Sequence, residues 1–285
     1  MYNTLSNKKE KFQPRKNKVV KMFVCGPTVY DSAHLGHART YLVYDVLIKY
    51  LKTLGFKTTF IINITDIDDK VLEKAELEGI PFKDLAENYT QEFIECLKLL
   101  KITSIDSLHK ASEYLNEIES QIEYLIKNGN AYDVKGNIFF DITTFPSYGK
   151  LSNQTRFEFM LRRLNPDPDK RDQRDFILWR KWISKQISFQ SKFGLGRPGW
   201  HIEDTAISTS VLGGGYDIHG GGIDIIFPHH ESEIALGESF TGQHPFVKYW
   251  IHTGLLFING EKMSKSLRNI ITCKDALKEW NPDVL

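Results

Sequence analysis

The sequence predicts an α/β protein organised on a parallel sheet, and three observations carry that expectation. VVKMFVC (19–25), a helical stretch and KTTFIINIT (57–65) make strand, helix and strand in about 45 residues, the βαβ unit from which parallel sheets grow. Further helical stretches follow over 68–79, 83–101 and 108–128. After a charged middle segment the α/β texture returns, with a glycine-dense run at 213–222, the strand IDIIF (223–227) and a helix opened by PHHESE (228–233).

Each element has a local reason. The first strand is a short apolar run that breaks at Gly26-Pro27. From His34 to Leu51, the apolar positions Leu35, Ala38, Leu42, Val46 and Tyr50 recur at three- and four-residue spacing, which reads as a helix that Gly55 ends. Short strands are expected around 131–141, with Gly136-Asn137 as the turn. From 156 to 192, ten Lys or Arg face five acids, with Phe176, Trp179 and Trp182 interleaved. That pattern suits a solvated surface or a contact with nucleic-acid phosphates. GLGRPGW (194–200) then leads back into the α/β region.

Composition narrows the class. A chain of 285 residues, 41% hydrophobic, can bury a sizeable core as one large domain or two smaller ones. The formal net charge of +1 advertises neither nucleic acid nor membrane. No apolar run approaches the roughly 18 residues of a membrane span. The N-terminal stretch is polar and basic, without the apolar core of a secretory signal. Three widely separated cysteines, Cys25, Cys96 and Cys273, are poor material for a disulfide framework and fit a reducing cytoplasm, the expected location.

Three stretches carry chemistry. His34-Leu35-Gly36-His37 follows a strand and opens a long helix, where free N–H groups bind phosphate and Gly36 allows close approach to the backbone. Two capping histidines would look the same. Lys262-Met263-Ser264-Lys265-Ser266 packs two lysines and two hydroxyls into five residues, and as a bare string it is a polar loop. In FPHHESE, Pro228 suits a first helical turn, and Glu231 and Glu233 suit its positive end. His229 and Glu233 are four apart, on one helix face and about 6 Å apart at Cβ, which suits one cation. His230, about 100° further round, would point elsewhere. A solvated helix start and half of a metal site are both open on local pattern.

The order of motifs decides more than any one of them. HLGH after a first strand, with KMSKS some 225 residues later, resembles the signature of class I aminoacyl-tRNA synthetases. CGPTVYDSAHLGHART, NITDIDDK, GRPGWHIE, DIHGGGIDIIFPHHESEIA and EKMSKS stand in the order found in cysteinyl-tRNA synthetases, and the resemblance covers residues 1–285. It implies a Rossmann-like nucleotide-binding catalytic domain of the HUP type, split by an inserted α+β connective domain. The expected division is 1–100 and 194–256 for the catalytic halves, 101–193 for the insert, and 257–285 for the KMSKS loop with the start of a helical region.

The resemblance also implies roles. His34 and His37 would lie beside the phosphates of ATP, Gly36 under the adenine, and Gly222 and Asp224 at the ribose. Lys262 and Lys265 would belong to the catalytic loop, Lys265 stabilising charge as the cysteine carboxylate attacks the α-phosphate. Magnesium would accompany ATP. A zinc ion would be held at Cys25, position 204, His229 and Glu233, and would select the substrate by its sulfur. Cys25, Gly26, Thr65, Trp200, His201 and His219 would line the amino-acid pocket. The partners implied are ATP, L-cysteine and tRNA(Cys), with a monomer favoured.

Two departures stand out. Position 204 is Asp where the family has Cys, which keeps a ligand's negative charge but makes it harder. The chain ends at Leu285, shortly after KMSKS, so the helical anticodon-reading domain of the family is expected to be absent from it. Related readings are an ATP-dependent ligase joining cysteine to an amino-sugar, and a catalytically idle paralogue that only binds nucleotide or tRNA.

Overall fold

The computed structural model describes residues 1–154, 164, 166–181, 189–263, 267 and 269–285. Strands β1 (Tyr2–Asn3), β2 (Lys8–Lys9) and β3 (Val19–Val24) precede helix α1 (Leu35–Thr53). Strand β4 (Lys57–Ile64), helices α2 (Asp69–Glu78) and α3 (Phe82–Leu99), strand β5 (Ser107–Lys110) and helix α4 (Leu115–Lys127) follow. Next come β6 (Ala131–Val134), β7 (Asn137–Phe140), β8 (Phe176–Lys181), β9 (Phe189–Ser191) and β10 (Gly194–Pro198). Helix α5 (Trp200–Leu212), β11 (Tyr216–Gly222), α6 (Glu231–Thr241) and β12 (Val247–Thr253) lead to β13 (Phe257–Ile258), β14 (Glu261–Lys262) and α7 (Cys273–Glu279). Two compact units interleave along the chain. The first comprises Met1–Phe12, Ala111–Asp217 and Ile225–Trp250; the second comprises Gln13–Lys110, Ile218–Asp224 and Ile251–Leu285.

The second unit is the α/β architecture that the sequence predicts. It holds β3, β4, β5 and parts of β11 and β12 of a five-stranded sheet with the order β12-β11-β3-β4-β5. β3 pairs in parallel with both β4 and β11, and β4 pairs in parallel with β5. Met22–Val24 in β3 and Phe60–Ile64 in β4 are buried on successive residues because both faces of a parallel sheet are covered. Residues 108–110, expected in a helix, belong instead to edge strand β5, and the α-helix begins only at Leu115. Pairing of Ile61, Ile62 and Ile64 with Ser107, Leu108 and Lys110 overrides the local helical pattern.

Helix α1 forms where expected, but it buries a different face. Ala38, Tyr41, Tyr44, Asp45, Ile48 and Leu51 point inward, while Val46 and Tyr50 are 63% and 59% exposed. The helix is apolar on most of its circumference, so two stripes at helical spacing compete and periodicity alone cannot choose. The buried carboxylate of Asp45 accepts bonds from the backbone N–H groups of Thr103 and Ser104, at 3.0 and 2.8 Å. It thereby fixes the loop that leads into β5.

The first unit is organised on an antiparallel sheet of order β6-β7-β8-β10-β9, with α4, α5 and α6 in the same unit. The β6–β7 turn is Lys135-Gly136, one residue earlier than expected: both have positive φ (56° and 91°), and Val134 pairs with Asn137. Phe176 and Trp179, weighed as a nucleic-acid surface, are buried in β8; Phe176 stacks on Phe140 with ring centroids 5.0 Å apart. Trp182 and the basic residues Arg156, Arg162, Arg163 and Lys185 lie outside the described residues.

IDIIF is not a strand. The strand is the preceding YDIHGGG (216–222); Ile223–Ile225 forms a 3₁₀ turn, and Phe227 is extended (φ −125°, ψ 132°), so the chain kinks before α6. Glycine suits β11 for a steric reason, since a Cβ on Gly220 would lie 2.3 Å from the Tyr44 ring.

Candidate functional site

In the second unit, the end of β3 and the turn into α1 gather one set of the expected residues. Cys25 donates its backbone N–H to Gly220 O at 3.0 Å, and its Sγ lies 3.3 Å from Nε2 of His219. Gly26 donates its N–H to Asn63 Oδ1 at 2.6 Å, and a Cβ at position 26 would fall 1.6 Å from the Asn63 carbonyl oxygen. Only glycine fits there. Asn63 Nδ2 in turn donates to Thr65 Oγ1 at 3.3 Å. Cys25, Gly26, Thr65 and His219 are thus set by the ends of three adjacent parallel strands, where ligands of such sheets bind.

The two histidines of HLGH do cap the helix. His34 Nδ1 accepts from the N–H groups of Gly36 and His37 at 3.1 and 3.4 Å, and His37 Nδ1 accepts from His34 N–H at 3.3 Å. Their rings stack at 3.8 Å and 15°. This is a capping box built from imidazoles. An Nδ1 that accepts places the proton of each neutral ring on Nε2, where it can be donated outward. Capping and ligand donation are therefore compatible uses of the same side chains.

Gly36 faces the His34 ring, since a Cβ there would lie 2.9 Å from it, and 3.4 Å from Met263 Cε. The segment after KMSKS returns to the same turn: Leu35 N–H donates to Ile271 O at 3.0 Å, and Cys273 N–H to Ala33 O at 2.8 Å. Lys262 ends β14, and Lys265 lies outside the described residues. At the end of β11, Asp224 folds back over Gly222, whose added Cβ would meet Asp224 Oδ1 at 2.5 Å.

A residue the sequence reading missed ties these pieces together. The Tyr44 hydroxyl donates to Ile251 O at 2.6 Å and accepts from Gly221 N–H at 2.7 Å, linking α1 to β11 and β12. Burial raises its pKa, so it stays a neutral donor. Its helical spacing, three residues from Tyr41, was visible in sequence, but a tyrosine in a mostly apolar helix gives no local sign of a polar task.

In the first unit, α5 and the start of α6 gather the other set. His229 is its centre: Nε2 lies 3.1 Å from Asp204 Oδ2 and 2.8 Å from Glu233 Oε1, and Nδ1 lies 2.7 Å from Nδ1 of His201. The Trp200 indole stacks on the His229 ring at 3.8 Å and 2°. All of these side chains but Trp200 are buried.

Burial alone would depress the His229 pKa. The charge of Glu233 and the bonds and charge of Asp204 outweigh it and raise the pKa to about 9. His201 is pushed well below its usual range by burial first, then by the nearby His229 charge and Lys170. Neutral His201 therefore accepts the His229 Nδ1–H, which turns Nε2 toward the two carboxylates.

The structure corrects three expectations about PHHESE. The α-helix starts at Glu231, so Pro228, His229 and His230 lie between the kink at Phe227 and its first turn. His230 does not point away: His229, His230 and Glu233 offer ligand atoms within 4.8 Å of one another. Glu231 is not a solvated helix-start charge either. It is buried and accepts from Leu151 and Ser152 N–H groups at 3.1 and 2.8 Å.

The donor set fits a divalent cation. Two carboxylates bring −2 against at most +1 from a protonated imidazole, whereas a dication beside neutral His229 balances them. Nitrogen and carboxylate oxygen are both zinc ligands.

Comparison with known proteins agrees with this layout. A family model described as the tRNA synthetases class I (C) catalytic domain matches residues 11–285. A Cysteine--tRNA ligase of Thermoplasma acidophilum is 46% identical over 285 residues, covering 100% of this chain and 63% of that protein. One from Thermococcus kodakarensis is 45% identical over 287 residues, covering 100% and 60%. The chain thus spans about three fifths of the length of these curated relatives. Among solved structures, Mycobacterium tuberculosis methionyl-tRNA synthetase in complex with methionyl-adenylate has a TM-score of 0.71 at 17% identity, covering 94% of this chain and 63% of that one. A putative arginyl-tRNA synthetase from Campylobacter jejuni scores 0.59 at 16%, covering 94% and 62%. At such identities these two speak for the fold alone. With the family match spanning nearly the whole sequence, the chain belongs to the tRNA synthetases class I (C) catalytic-domain family.

Proposed function

We propose that this chain is the catalytic region of a cysteine–tRNA ligase, activating L-cysteine with ATP to cysteinyl-adenylate and passing the acyl group to the 3′ end of tRNA(Cys). The observation that carries the reading is the even identity, 44–46% along the full chain, to relatives whose name is Cysteine--tRNA ligase. No helix among the described residues is long and apolar enough to cross a membrane. Cytoplasmic location, a monomeric state, and 101–193 as an inserted domain facing the acceptor end of tRNA are parts of the same proposal.

On this reading His34 and His37 donate Nε2–H to the phosphates of ATP, held in place by their own capping bonds. Gly36 lets the adenine approach, and Gly222 and Asp224 hold the ribose. Lys262 and Lys265 offset phosphate charge as pyrophosphate leaves with magnesium. Cys25, Asp204, His229 and Glu233 form the metal ligand set, and Gly26, Thr65, Trp200, His201 and His219 the amino-acid pocket. A zinc ion held there would supply a Lewis acid that favours sulfur over oxygen. His201 and Trp200 act on His229, fixing its tautomer and ring plane.

The test is cysteine-dependent ATP–pyrophosphate exchange by the purified chain, with serine as the competitor and tRNA(Cys) or an amino-sugar as the acceptor. Exchange with cysteine but not serine supports the reading. No exchange with any amino acid leaves a nucleotide-binding paralogue, and transfer to the sugar alone identifies the other ligase.

A further inference from the structure

We propose that Cys96 and Cys273 form a redox-modifiable dithiol, a site that hydrogen peroxide converts to a disulfide joining α3 to the first residue of α7. Three observations support it. The two side chains, far apart in sequence, are hydrogen-bonded to each other. Both are buried, 7% and 2% exposed, so each sulfur meets the other rather than solvent. Cys273 is also anchored from its backbone: its N–H donates to Ala33 O at 2.8 Å, and Thr272 before it caps α7 by accepting from Asp275 N–H at 3.0 Å. One sulfur is thus held on a helix and the other beside a fixed turn. Only the gap between thiol contact and a bond of about 2.05 Å has to close.

The order of steps follows from exposure and charge state. The bond to Cys273, then burial, push the Cys96 pKa up, so the site rests in its thiol form. Cys96 is the more exposed of the two and meets a small oxidant first. Once deprotonated, its sulfur attacks one oxygen of hydrogen peroxide; the O–O bond breaks, and a sulfenic acid and water result. The Cys273 sulfur then attacks the Cys96 sulfur, the S–O bond breaks, and the Cys273 proton leaves with the hydroxide as water. Two thiols give up two electrons and reduce one peroxide to two waters. The consequence lies at the HLGH turn, because Leu35 N–H donates to Ile271 O at 3.0 Å and His34 is bridged to Thr272. Drawing Cys273 toward α3 displaces the backbone that carries the histidine cap. That effect on adenylate formation rests on the ligase reading; the disulfide itself does not.

The test treats the full zinc-loaded chain with hydrogen peroxide, unfolds it, alkylates the remaining thiols and maps the peptides by mass spectrometry. One peptide cross-linked through Cys96 and Cys273, released by dithiothreitol, is expected. Unmodified cysteines at both positions, a sulfinic acid at Cys96 without the cross-link, or cross-links to Cys25 alone overturn the proposal. Cysteine-dependent pyrophosphate exchange should fall about tenfold or more on oxidation and recover on reduction, as misplacing a catalytic turn does. Cys96→Ser and Cys273→Ser should each keep the reduced wild-type rate and lose the reversible inhibition. Equal reversible inhibition in both variants places it elsewhere and overturns the control of the turn. Should a serine variant fail to fold, the wild-type peptide map still decides. A cross-link in a chain that shows no exchange when reduced sinks the ligase reading alone, and exchange without a cross-link sinks the dithiol alone.

Discussion

The histidine pairs of HLGH and of PHHESE differ in what holds them. His34 and His37 are held by their own helix, through bonds spanning two or three residues, and both are partly exposed. His229 is held by Asp204, by His201 and by the Trp200 ring, 25 to 29 residues away in sequence, and is buried. The first pair is a local structure that doubles as a donor surface. Apart from Glu233, four residues on, the second takes its orientation from residues of another helix, and the Asp204 charge carried there adds to that of Glu233.

The largest effect should fall on the second pair. Asp204→Ala leaves His229 with one carboxylate, and it should lower metal occupancy and cysteine-dependent exchange together, the latter by about a hundredfold. Asp204→Cys should tighten zinc relative to manganese, because sulfur is the softer donor. Metal content and serine-against-cysteine exchange on both variants measure this, and an unaltered Asp204→Ala would remove Asp204 from the site. Next, Lys265→Ala should slow adenylate formation by about a hundredfold with cysteine binding nearly intact, as loss of one transition-state charge contact does. Equal losses in both would place Lys265 in ground-state binding.

On the local pair the comparison can be sharpened by splitting capping from donation. His34→Asn keeps a good N-cap, so thermal stability should hold within about 0.5 kcal/mol while exchange falls at least tenfold. His34→Ala should lose the rate and about 1 kcal/mol of stability as well. If His34→Asn keeps full activity, the imidazole is only a cap. Gly220→Ala, on the strand beside this helix, should cost about 1–3 kcal/mol in urea unfolding, because its Cβ meets the Tyr44 ring at 2.3 Å.

The smallest effect concerns pH. Burial would raise the Asp45 pKa, but bonds from Lys49, Ser104 and Thr103 outweigh it and leave it below the usual carboxylate value. A depressed folded pKa contributes stability above the unfolded pKa and loses it as pH falls through the folded one. The stability of the wild type should therefore fall more between pH 5 and about 3 than that of Asp45→Asn. Parallel pH slopes would show that Asp45 contributes nothing to acid lability.

What the sequence alone determined follows from short-range physics. The first βαβ unit, the HLGH cap at the N-terminus of α1 and the order of the family motifs were legible because strands, caps and glycine turns act over a few residues. Tertiary structure decided the rest. Which stripe of α1 is buried depended on the sheet and loops it meets, since Val46 and Tyr50 are as apolar as the residues that won the interior. YDIHGGG became the strand in place of IDIIF because its glycines fit against Tyr44 beside β3, a close approach no local pattern encodes. His230 offers a ligand atom within 4.8 Å of those of His229 and Glu233, a proximity that the 100° step of an ideal helix does not foretell. Glu233, four residues on, is the local part of the charge environment of His229; the rest arose only when α5 carried Asp204 and His201 to it. A residue's pKa and ligand set depend on neighbours within a few ångströms, and those neighbours are chosen by packing across long sequence separations.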